Sequence, residues 1–66
     1  EMRRTALAAF VTEAAETVRS EGEDVVFEVM SSADRKVVHD TIAEIDGVES
    51  GSVGEDPRRR VVVRPA

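Results

Sequence analysis

Ser31 and Asp34 stand three residues apart at the head of a segment in which Val37, Val38, Thr41, Ile42 and Ile45 recur at helical spacing, and Gly47 follows it. A serine three residues ahead of an acidic side chain is the capping-box pattern, in which each side chain takes the other's backbone N–H. The carboxylate also meets the positive end of the helix dipole. Gly47 suits the left-handed residue that ends many helices. The pattern predicts a helix from about residue 32 to about residue 46, and it sets Arg35 and the only histidine, His39, one turn apart on a shared face. With the stripe turned to a core, Arg35 lies at its edge and His39 further out. Both are expected to reach solvent together with Lys36.

Ahead of this segment, Leu7, Phe10, Val11, Ala14 and Val18 repeat at three- and four-residue spacings among several alanines, which predicts an amphipathic helix from about residue 3 to about residue 20. Its outer face, with Glu13, Glu16 and Arg19, reads as solvated charge. Gly22 ends it, and Asp24 to Met30 alternates as a strand with Val25, Phe27 and Val29 on one side. After the organising helix, Val48 to Val53 is a weak strand containing Gly51, best placed at an edge. Gly54 to Pro57 connects it to a stronger strand, Arg58 to Arg64, which Pro65 is expected to stop. If Val61 and Val63 face the helices, then Arg58, Arg60, Val62 and Arg64 share the opposite face.

The order helix, strand, helix, strand, strand predicts an α+β fold: a small three-stranded antiparallel sheet with the third strand in the middle and two helices packed on one face. A chain of 66 residues makes a single domain, and at this size only about 60% of the unfolded surface is buried. With no cysteine and one histidine, neither a disulfide nor an intrachain metal cluster is expected as a staple, and no cofactor is expected. No apolar run has the length of a membrane span and no signal-peptide pattern appears, so the plain reading is a soluble, cytoplasmic protein. Because the sequence begins at Glu1, it reads as part of a longer chain.

In Asp34-Arg35-Lys36-Val37-Val38-His39, the arginine, three-residue gap and histidine resemble the signature of the R3H domain. Val48, then Gly54-Glu55-Asp56-Pro57, then Arg59-Arg60-Val61-Val62-Val63 look like the end of that domain in the bacterial Jag (KhpB) family. The resemblance spans about residues 22 to 64. It implies a small antiparallel sheet with helices on one side, single-stranded RNA or DNA as the ligand, Arg35 and His39 as binding residues, and a KH domain ahead of this one in the parent chain.

The residue chemistry fits that expectation. A guanidinium makes forked hydrogen bonds to phosphate, an imidazole donates to a phosphate oxygen or stacks on a base, and the helix N-terminus near Ser31 adds backbone donors. Lys36 extends the patch, and Arg58, Arg60 and Arg64 form a secondary basic face. Ordinary structural roles stand beside these: Arg35 paired with Glu28 or Glu55, Lys36 with Asp40, and the strand arginines protecting an edge. Charge argues against strong binding, since nine basic residues face fourteen acidic ones for a net charge of −5. Residues 1–29 hold three basic and seven acidic groups, and residues 30–66 six and seven. Jag-type relatives tend to be basic in the first helix and the following loop, so Glu13, Glu16, Glu21 and Glu23 are a departure, and binding by this domain alone is expected to be weak and salt-dependent. No nucleophile elbow, phosphate loop or paired-carboxylate site is legible, which argues against an enzyme. The alternative function is a protein or interdomain docking module using the acidic first helix and an open sheet face bearing Val26 and Val62.

Overall fold

Five elements follow one another within residues 2–66, which the computed structural model describes, with side chains from Thr5 onward. They are α1 (Met2–Glu21), β1 (Val25–Val26), α2 (Ser32–Ala43), β2 (Val48–Val53) and β3 (Arg60–Pro65). The sheet order is β1-β3-β2 with both pairings antiparallel. The Val-rich strand is therefore central, and both helices cover one face, giving the expected α+β architecture.

The core lies between that sheet face and the helices. Val11, Ala15 and Val18 of α1 meet Val38 and Ile42 of α2 over Phe27, Val48, Val61 and Val63. Of the α1 stripe, Val11 and Val18 are buried, Leu7 and Ala14 are partly buried against the core, and Phe10 sits on the flank, more than half exposed. Its ring packs edge-on against Phe27 with centroids 5.8 Å apart, an arrangement aromatic quadrupoles favour. Gly22, at φ +74°, ends α1 in the left-handed conformation, and its N–H reaches the Val18 carbonyl at 2.8 Å.

The bounds of three elements, the first strand, the second helix and the last strand, differ from the sequence expectation. The first strand shrinks from residues 24–30 to Val25–Val26 because its one neighbour, β3, begins only at Arg60. Past Val26 one further bond forms, from the Phe27 N–H to the Val61 carbonyl at 2.9 Å. The chain then leaves the sheet to deliver Ser31 to α2, and Val29 is left exposed. Helix α2 stops at Ala43 instead of about residue 46: the N–H groups of Glu44 and Ile45 reach back three residues, to Thr41 and Ile42, in a tightened last turn. Gly47, at φ +89°, makes the following turn. In β3, Pro65 belongs to the ladder opposite Val48. The Val61 carbonyl points to β1, so odd residues of β3 direct their backbone groups that way, and Pro65 falls beyond the end of β1, where no donor is needed.

The arginine face also changes. Arg60, Val62 and Arg64 share the face away from the helices, but Arg58 lies in the connection before β3. Val62 is only 3% exposed. Gly51 is its cross-strand partner, and the Arg64 guanidinium lies over Gly51, in the space a side chain would fill. Of the expected open apolar face, Val26 remains exposed and Val62 does not, which weakens the docking alternative.

A domain of this size has a stability on the order of 3–10 kcal/mol, so one core truncation is decisive. Ile42, 1% exposed, when replaced by alanine should lose about 2–5 kcal/mol. Ser31→Ala, which removes the α2 cap, should lose about 1 kcal/mol. Urea unfolding of the two variants checks the order and the sizes.

Candidate functional site

The start of α2 gathers the donors. Ser31 is its N-cap, and its hydroxyl accepts the Asp34 N–H at 3.2 Å. That leaves the N–H groups of Ser32 and Ala33 among the donors that the helix itself does not use. One turn on, Arg35 folds back along this end. Its Nη1 donates to the Met30 carbonyl at 2.7 Å, and its Nη2 lies 3.4 Å from the Ser32 hydroxyl and 3.5 Å from Asp56 Oδ1. The side chain is 15% exposed, so the expectation of a freely solvated arginine is corrected: the inner half of its fork is spent on the backbone, and the outer half faces the β2–β3 connection. The carboxylate that pairs with it is Asp56, not Glu28 or Glu55.

His39 is also partly buried. Its Nδ1 and the Ser50 Oγ of β2 are 2.9 Å apart. Ser50 lies opposite Val63, on the helix side of the sheet, which is why an α2 residue reaches it. The other ring nitrogen, Nε2, has no hydrogen-bond partner among the described residues. The bond to Ser50 therefore fixes the orientation of the ring. Lys36, by contrast, is well exposed and pairs with Asp40 at 2.9 Å one turn along the helix, as the spacing suggested.

Arg35, Lys36 and His39 thus share one helix, whereas the secondary basic set divides. Arg58 sits in the connection with its N–H on the Glu55 carbonyl at 2.7 Å, and Arg60 and Arg64 lie on the sheet face turned from the helices. The arginine that does approach Arg35 is Arg59, whose Nη2 is 3.6 Å from Asp56 Oδ2. The sequence reading gave Arg59 no role of its own, and although Asp56 and Arg59 are three residues apart, no local spacing links either to Arg35.

The sequence model of the family described as the R3H domain matches residues 5–65, nearly the whole chain. The chain belongs to the R3H family. Two relatives of this R3H domain are RNA-binding protein KhpB of Streptococcus pneumoniae serotype 2 (strain D39 / NCTC 7466) and the same protein of Streptococcus pneumoniae strain ATCC BAA-255 / R6, each 38% identical over 63 residues. That alignment covers 96% of this chain and 19% of either relative, so the R3H domain spans about a fifth of their length. Among the described residues no helix is long and apolar enough to cross a membrane.

The geometry separates a structural arginine from a surface lysine. Arg35→Ala strands the Met30 carbonyl and should cost about 1.5–3 kcal/mol, as expected for a hydrogen bond to a charged group. Lys36→Ala breaks only an exposed pair and should change stability by about 0.5 kcal/mol or less. Thermal melts of the two variants beside the parent protein give the comparison.

Proposed function

We propose that this R3H domain is a binding module for single-stranded nucleic acid, RNA in the first place, using the Arg35 and His39 side of α2 with Lys36 at its rim. The observation that carries the reading is that both side chains are held by one atom and present another. Arg35 is fixed through Nη1 on the Met30 carbonyl, and His39 through Nδ1 on Ser50, so Arg35 Nη2 and His39 Nε2 are positioned before a ligand arrives. Fixed donors lose little freedom on binding, which offsets part of the cost of association. The α2 N-terminus lies beside Arg35 and favours a phosphate at the same place. The printed name of the two relatives, RNA-binding protein, supports RNA over DNA.

Affinity is the weak side of this reading. With a net charge of −5, the domain meets nucleic acid against its own field, and only local contacts favour the complex. A KH domain ahead of it in a longer cytoplasmic parent chain would supply the rest by raising the effective concentration of RNA at this face. Arg60 and Arg64 point away from α2 and contribute steering, not contacts.

Binding of a short fluorescein-labelled oligouridine, followed by anisotropy at low salt, tests the reading. Arg35→Ala should weaken binding about tenfold or more, as loss of a charge-assisted fork requires. His39→Ala should weaken it less, and Arg64→Ala hardly at all. Affinity should fall with salt at a log–log slope of about −1.4, the value for two phosphate contacts on a single strand. Equal affinity for the parent protein and the Arg35 variant, both shown to be folded at the assay temperature, would contradict it.

A further inference from the structure

Asp56 holds two arginines at once. Its Oδ1 lies 3.5 Å from Arg35 Nη2 and its Oδ2 lies 3.6 Å from Arg59 Nη2. The two guanidinium groups come from different parts of the fold, one from the first turn of α2 and one from the connection just ahead of β3. A single anion with two oxygens bridges them. A phosphodiester presents two anionic oxygens in the same way, and guanidinium groups take either anion through the same N–H donors.

The geometry points to a two-arginine phosphate clamp, in which Arg59 is a second binding residue and the Asp56 carboxylate is a built-in competitor that occupies the clamp when no nucleic acid is bound. This inference rests on the nucleic-acid reading of the Arg35 face and adds to it a residue and a means of control.

Three features make the carboxylate displaceable. Both contacts are longer than the 2.7–3.2 Å typical of N–H···O hydrogen bonds, so Asp56 neutralises the two Nη2 groups without a close hydrogen bond to either, and Arg35 Nη2 has in addition only the Ser32 hydroxyl at 3.4 Å. The Asp56 and Arg59 side chains are 63% and 45% exposed, and exposed ion pairs hold weakly in water. The backbone around Asp56 is nevertheless set: Gly54 turns at φ +81°, with the Arg58 carbonyl 3.1 Å from where its Cβ would be, and the Arg58 N–H bonds the Glu55 carbonyl at 2.7 Å. Displacement is therefore a side-chain rotation of Asp56. Arg35 stays where its Nη1 is held by Met30, and Arg59, in an exposed connection, adjusts to the incoming phosphate.

The clamp also bears on how an acidic domain restrains its binding. Remote carboxylates act through a screened field, whereas Asp56 sits at the place the phosphate takes. Its removal should count for more than that of any distant acid.

Asp56→Asn, which keeps the shape and deletes the charge, should bind the labelled oligouridine roughly three- to tenfold more tightly at low salt. Asp24→Asn, just ahead of β1, removes the same charge and should change affinity less than about twofold. Arg59→Ala, which deletes an exposed side chain and leaves the core untouched, should weaken binding. In the Arg59→Ala background the gain from Asp56→Asn should shrink, because half of what it releases is gone. If the parent protein binds and Arg35→Ala abolishes binding, but Asp56→Asn behaves like Asp24→Asn and Arg59→Ala like the parent, the clamp is overturned and the Arg35 reading stands. If no variant binds, parent included, both are overturned.

Discussion

The bond from Arg35 Nη1 to the Met30 carbonyl, 2.7 Å long, joins the three things this small fold has to achieve. It satisfies the backbone just ahead of the α2 N-cap, it closes the first turn of α2 against the segment that leads into it, and it fixes the side chain on which the proposed binding depends. A half-buried carbonyl left without a partner is costly, and in a chain of this size the core has little surplus to offset it. Arg35 therefore serves stability and binding together. Its loss should be felt in both.

The rest of the site follows from how α2 is seated. Val38 and Ile42 anchor it to the core, and that rotation brings His39 over Ser50 and turns Lys36 to solvent. The β2–β3 connection then closes beside the N-terminal end of α2, and Asp56 arrives at the free half of the Arg35 fork. Electrostatics at the site is consequently local. The acidic excess of residues 1–29 lies largely on α1 and the loop after it, where Glu16 is already paired with Arg19 at 3.0 Å. One carboxylate, Asp56, meets the arginines directly.

What was legible in the sequence is what depends on near neighbours. The Ser31 cap, the α2 stripe, the Lys36–Asp40 pair and the shared face of Arg35 and His39 are all set by separations of three or four residues. The strand order was legible too, because with β3 in the middle every pair of neighbouring strands runs antiparallel. What escaped depends on partners distant in the chain. The length of β1 is set by where β3 begins, and the place of Pro65 in the ladder by where β1 ends. Burial of Val62 depends on Arg64 crossing to Gly51, and the degree to which Arg35 is held depends on a backbone carbonyl, which has no signature in side-chain identity. The meeting of residues 35, 56 and 59 belongs to the same class, since it exists only once the hairpin is folded against α2.

A two-dimensional NMR titration of the domain with short single-stranded RNA at low salt bears most directly on the central claim. The expected result is a contiguous set of shifts over residues 31–39 and 54–59, including the side-chain Nε signals of Arg35 and Arg59, fading as salt is raised. Shifts centred instead on α1 or on the sheet face that carries Val26, or no shifts at millimolar RNA, would contradict it.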